Sequence, residues 1–174
     1  SRTDYSCEWS NTDSKQWRKV SSRMSTIAVD SIEPATSGKQ VLFPQKPAFT
    51  AHRNSGGDIS SGNVMVFNST RVNIGNHFDT STGKFTAPVA GTYFFNTTCL
   101  STSNTSSNDL QIRVDGTNVA QARADVGSSA HNSVSVTVIV TLTANQVVDV
   151  YIAGGSGFYG SSGEYNTFCG YLIG

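Results

Sequence analysis

Residues 133 to 143 read Ser-Val-Ser-Val-Thr-Val-Ile-Val-Thr-Leu-Thr, an alternation that places Val134, Val136, Val138, Val140 and Leu142 on one side and mostly hydroxyl-bearing residues on the other. Successive side chains of an extended chain point to opposite faces, so a period of two marks a strand with one buried and one solvated face. Burying each Val or Leu contributes roughly 1.5–3 kcal/mol. A slip of one residue would exchange this apolar face for hydroxyls, so the register of this strand is well specified.

Similar short runs occupy 48–52, 63–67, 91–100, 109–114, 118–124, 147–153 and 167–173. Turn signals separate them: Ser55-Gly56-Gly57, the glycine-rich stretch 154–163, and Asp115-Gly116, where Val114 and Asn118 flank an expected hairpin. Many short strands without intervening helical patterns describe an antiparallel sandwich rather than a parallel α/β sheet.

A chain of 174 residues holds one such domain and an extension. Its 12 basic and 12 acidic side chains balance, which excludes the broad positive field that drives phosphate-backbone binding; nucleic acid is not an expected partner. The apolar runs fall far short of the roughly 20 residues needed to span a bilayer as a helix. The first residues carry no charged n-region followed by an apolar h-region, which reads as a mature or trimmed chain. Low charge, abundant Ser, Thr, Gly and Asn, and three cysteines fit an extracellular β domain.

One spacing is more specific than any periodicity. Phe67 is followed by Asn73 six residues on, Phe78 five further and Phe85 seven further, and then by Gly91, Tyr93 and Phe95 in a Gly-x-Tyr-x-Phe arrangement. This pattern resembles the signature of the globular C1q domain. Thr97 stands where the family expects a last aromatic, and the closing strand Phe168-Cys169-Gly170-Tyr171-Leu172-Ile173 is similar to the family's Phe-Ser-Gly-Phe-Leu. The resemblance covers residues 47–174 and implies a ten-stranded jelly-roll sandwich of the C1q and tumour necrosis factor type, assembled as a homotrimer.

Residues 1–46 form the extension. Trp17, Val20, Met24 and Ile27 lie on one stripe of a helix that Asp13 or Ser14 could cap. Two readings stand, a short helix or coil on the domain and a neck that bundles subunits. No Gly-X-Y repeat occurs, so the sequence has no collagen stalk. Of the three cysteines, the resemblance places the Cys99 strand beside the Cys169 strand, which implies a bridge if their Cβ atoms come within about 4.5 Å; the alternative is two inert buried thiols. Cys7 is then left to pair between chains.

Catalytic motifs are absent or accidental. Gly155-Ser-Gly157-Phe-Tyr-Gly160 matches a dinucleotide fingerprint, but no helix follows to receive a pyrophosphate. His52, His77 and His131 are scattered, Gly-x-Ser-x-Gly is missing and the carboxylates are dispersed, so neither a transition-metal site nor a hydrolase is expected. Some C1q relatives hold Ca²⁺ near the threefold axis with Asp side chains from the segment resembling 123–132. Only Asp125 remains here, with His131 nearby, which is thin for an ion that takes six to eight oxygens unless three subunits share it, and leaves Asp125 a weak calcium candidate. No cofactor is expected. Sequons at Asn68, Asn96 and Asn104 occur about as often as chance allows.

C1q-domain proteins bind ligands and are not enzymes. A head without a collagen stalk resembles the secreted, lectin-like members of invertebrate innate immunity, which implies recognition of carbohydrates, sialylated or N-acetylated sugars among them, on glycoconjugates or microbial surfaces. A cytokine-like or receptor ligand acting by protein contact is the alternative, and a matrix protein using Cys7 and the neck is a third. The expected ligand residues are Phe158, Tyr159, Glu164, Tyr165 and Asn166 on the glycine-rich loop, with Arg123 and His131 from a neighbouring loop. Aromatic rings would stack on a sugar face, Asn166 would fix hydroxyls and Arg123 would meet a carboxylate on an acidic sugar.

Overall fold

The structure, a computed structural model, describes residues 46–102, 107–125, 131–160 and 164–174. The apolar stripe near the N-terminus, Cys7 and the sequon at Asn104 lie outside the described residues. Ten strands are formed: β1 (Ala48–His52), β2 (Ser69–Ile74), β3 (Phe78–Asp79), β4 (Lys84–Thr86), β5 (Gly91–Leu100), β6 (Asn108–Val114), β7 (Thr117–Ala124), β8 (Ser133–Leu142), β9 (Val147–Gly154) and β10 (Thr167–Leu172). They pair antiparallel into two five-stranded sheets, β2-β1-β10-β5-β8 and β3-β4-β9-β6-β7, hereafter the first and second sheets. The alternation in 133–143 becomes β8, whose Val134, Val136 and Leu142 are buried and whose Ser133, Ser135 and Thr137 face out.

Between the sheets the spaced aromatics pack into one cluster. Phe49 stacks on Phe78 at 4.7 Å and on Phe85 at 5.1 Å, and meets Phe168 edge-on at 4.9 Å. Phe67, Tyr93 and Phe95 are also fully buried. The non-aromatic members of the spacing have equally local reasons. Asn73 donates from Nδ2 to the Phe78 carbonyl at 2.9 Å and accepts from the Phe78 N–H at 3.1 Å, which closes the turn between β2 and β3. Tyr93 is tyrosine because its hydroxyl donates to the Val89 carbonyl at 2.8 Å. Thr97 is wholly buried and satisfies its hydroxyl on the Thr167 carbonyl at 2.9 Å, as a buried polar group must.

Two strand boundaries differ from the sequence reading. Residues 63–67 make only a bridge, Val64 to Tyr151, and the strand lies at Ser69–Ile74 instead. The hairpin turn is the two residues Asp115 and Gly116, both at positive φ, with Val114 opposite Thr117 rather than Asn118; two left-handed central residues match the twist of the flanking strands.

The expected Cys99–Cys169 bridge is not formed, and both thiols are free. β10 and β5 do pair, but Cys169 stands opposite Asn96, so Cys99 is an odd number of residues out of register with it. Odd offsets put side chains on opposite faces of a sheet. Cys99 therefore points into the core while Cys169 points outward, and burial pushes the Cys99 thiol up to about 12. Non-reducing peptide mapping after denaturation in alkylating reagent is expected to recover Cys99 and Cys169 as separate alkylated peptides, with Cys99 unreactive until the protein unfolds. A linked pair would contradict this register.

Candidate functional site

Strand directions bring four connections to one end of the sandwich, away from Lys46 and Ile173: those after β1, β5, β7 and β9. Arg53 fastens them. Its guanidinium donates to the carbonyls of Gly57 and Val66 at 3.0 Å and of Gly160 at 3.3 Å. Desolvation holds its pKa below the ordinary arginine value, with Asp58 offsetting that shift. Asp58 in turn accepts the Gly160 N–H at 2.8 Å.

The false dinucleotide fingerprint acquires a structural explanation here. Gly157 has a φ of 114° and a Cβ there would sit 2.2 Å from the Ile59 carbonyl oxygen, while a Cβ on Gly160 would sit 1.7 Å from that of Gly57. These glycines let one loop lie directly on the backbone of another. Phe158, between them, is buried in the core and bridges to Ile59 and Ser101.

Of the seven residues expected to meet a ligand, the structure brings three together as a strip of rings. His131 and Tyr159 meet edge-on with centroids 5.4 Å apart, and Tyr159 and Tyr165 at 6.1 Å. His131 is fixed by a 2.7 Å hydrogen bond from Nδ1 to the Ser101 carbonyl. His131 is exposed, Tyr159 is half-buried and Tyr165 is 52% exposed, so both ends of the strip stand in solvent. Asn166 holds it in place: its Oδ1 accepts the Leu100 N–H at 2.9 Å and its Nδ2 donates to the Tyr159 carbonyl. Phe158 and Asn166 are both wholly buried, which leaves them no surface for a ligand.

The charged members have partners. Arg123 forms a bidentate pair with Asp109, one arm at 2.7 Å, which holds the Asp109 carboxyl below its ordinary range. A depressed carboxyl contributes stability at neutral pH that is lost as pH falls through its folded pKa. Glu164, at a φ of 59°, pairs with Arg71, and its Oε1 lies 3.9 Å from Nε2 of His52. His52 is buried, and its Nδ1 has no hydrogen-bond partner among the described residues. Sequence spacing had no signal for Arg53, His52 or Arg71, because Arg71 meets Glu164 across 93 residues of chain. Asp125 is a lone carboxylate, and no group of three or more His, Cys, Asp or Glu side chains converges among the described residues.

The outer faces of the sheets differ in kind. Across the first sheet, register aligns Ile139, Phe94, Tyr171, Ala48 and Ile74 in one row. Ile139 is 62% exposed, and the Phe94 and Tyr171 rings lie 5.2 Å apart. On the second sheet the comparable row is Asp79, Lys84, Asp149 and Arg113. Arg113 is bidentate to Asp149 at 2.8 and 3.0 Å and lies 3.7 Å over the Tyr151 ring.

The sequence model of the C1q domain matches residues 48–173. Complement C1q tumor necrosis factor-related protein 3 of Mus musculus is 27% identical over 109 residues, covering 63% of this chain and 44% of that protein. Caprin-2 of Danio rerio is 28% identical over 135 residues, covering 76% of this chain and 14% of its own length. The chain thus spans less than half of these curated relatives. Among solved structures, the globular domain of zebrafish complement 1qA superposes with a TM-score of 0.63 at 23% identity, over 74% of this chain and 98% of that one. Eiger TNF from S. frugiperda gives 0.64 at 12%, over 75% and 94%. Both likenesses establish the jelly-roll fold.

Proposed function

This chain belongs to the C1q domain family, and from that premise we propose that it is a secreted recognition module whose trimeric head binds glycans through the His131–Tyr159–Tyr165 strip. Members of the family bind ligands without catalysis, and the chain is not an enzyme. The observation that carries the glycan reading is the strip itself, three ring-bearing side chains reaching solvent from two neighbouring loops, the one bearing Tyr159 and Tyr165 pinned by Arg53 and Asn166. Rings supply an apolar face for a pyranose and a polar edge for its hydroxyls, and a pinned loop loses little entropy on binding.

Trimerisation is supported by the apolar row on the first sheet. The edge of the sandwich between β7 and β8 carries half-buried Ala120, Ala122, Val138 and Val140, a second apolar surface on the same molecule. Two different patches that fit each other make a heterologous contact, which closes into a ring when the rotation is threefold. Three identical sites on one ring turn weak sugar binding into useful avidity.

Tyr165→Ala and Tyr159→Ala are each expected to lower glycan affinity at least tenfold in calorimetry, with light scattering still giving three chains. Unchanged affinity in both variants would remove the strip from the site. The cytokine-like reading, in which the same trimer meets a protein receptor, draws on the extent of the exposed apolar row. A glycan array silent to the wild-type trimer would favour it.

A further inference from the structure

We infer that the distal surface takes uncharged glycans and discriminates against acidic ones. The inference rests on the glycan reading of the His131–Tyr159–Tyr165 strip and narrows it to a ligand class.

Recognition of a sialic acid carboxylate or a sulfate calls for a cation free to form charge-assisted hydrogen bonds. Among the described residues, each arginine at this end already has a partner. Arg53 spends its guanidinium on the Gly57, Val66 and Gly160 carbonyls. Arg71 pairs with Glu164, and Arg123 is bidentate to Asp109. The remaining described cations lie away from the strip: Lys46 donates to the Ile173 carbonyl at the opposite end, and Lys84 and Arg113 belong to the outer row of the second sheet.

The charge count at the distal end points the same way. Among the described residues at this end, four acids, Asp58, Asp109, Asp125 and Glu164, stand against three arginines, Arg53, Arg71 and Arg123, an excess of one acid. The linking segments 103–106, 126–130 and 161–163 contain no charged residue in the sequence. An anionic sugar would therefore shed its hydration and gain no ion pair in return.

A neutral pyranose has no such difficulty. Tyr165 offers a ring at 52% exposure. Glu164 Oε1, beyond hydrogen-bond reach of His52 at 3.9 Å, can accept from vicinal hydroxyls. Arg123, the residue that the sequence suggested for a sugar carboxylate, acts instead as the partner that neutralises Asp109.

The test uses the full chain on polymer-displayed mannose, N-acetylglucosamine and N-acetyllactosamine, with sialylated and sulfated forms of the last. Binding confined to neutral probes, or weakened at least fivefold when a bound neutral probe is sialylated or sulfated, is the expected result. Glu164→Gln breaks the pair with Arg71 and releases its guanidinium, so it should narrow that discrimination at least threefold. Stronger binding of the acidic probes, abolished by Tyr165→Ala, would overturn the neutral class while keeping the glycan site. Acidic binding unaffected by Tyr165→Ala would overturn this inference and displace the site from the strip. Silence from every probe would remove the glycan reading and the inference together.

Discussion

Replacing Phe95 with alanine is expected to destabilise the domain by about 3–5 kcal/mol, the usual cost of deleting a buried phenylalanine and leaving a cavity. Its ring lies parallel to that of Tyr93, 11° between planes at 6.1 Å, and packs against Phe85 at 5.5 Å and Phe168 at 5.9 Å. These neighbours come from β4, β5 and β10, so the ring joins both sheets. Collapse around the cavity is limited because each neighbour also packs on Phe49 or on another ring of the cluster. Since whole domains are stable by only about 5–15 kcal/mol, this loss is a large fraction of the total. Urea unfolding followed by near-ultraviolet circular dichroism should show the midpoint falling by more than about 1 M. A change below about 1 kcal/mol would mean that the aromatic cluster does not hold the sheets together.

The second large effect concerns assembly. Phe94→Asp is expected to convert the proposed trimer to a monomer at micromolar concentration, because it places a carboxylate within the row Ile139, Phe94, Tyr171, Ala48 and Ile74. Burying that charge without a partner costs far more than one side chain's contacts can return. Phe94 points away from the core, opposite to Tyr93 and Phe95, so the fold should survive with an unchanged far-ultraviolet spectrum. Light scattering should give one chain, and binding to a dense glycan surface should fall by orders of magnitude while single-sugar affinity persists. A Phe94→Asp protein that stays trimeric would rule out the first sheet as the assembly face.

The core was legible in the sequence because it depends on local rules. Alternation in 133–143 put Val134, Val136 and Leu142 inside, and the spacing from Phe67 to Phe95 marked the cluster that fills the sandwich. Asp115-Gly116 announced its turn because few residues tolerate two successive left-handed conformations. Each of these signals lies within a few residues of its consequence. The site was legible only in part. Tyr159, Tyr165 and His131 were identifiable as ring-bearing loop residues, but burial of Phe158 and Asn166 depends on what lies beneath the loop. The glycines that imitate a dinucleotide fingerprint are the residues that allow the loop to pack tightly on residues 57–60.

What the sequence determined by itself was the class of fold, its family and which faces of its strands are apolar, since those follow from periodicity and spacing along the chain. Only the tertiary structure decided pairing between distant groups. Whether Cys99 meets Cys169 turns on the parity of one strand register, whether Arg123 is free turns on Asp109 in the facing strand, and whether Glu164 is paired turns on Arg71 from β2. Side chains reach only a few ångströms, so their chemistry is set by whichever residues the sheets place beside them, and strand order carries that information where local sequence does not.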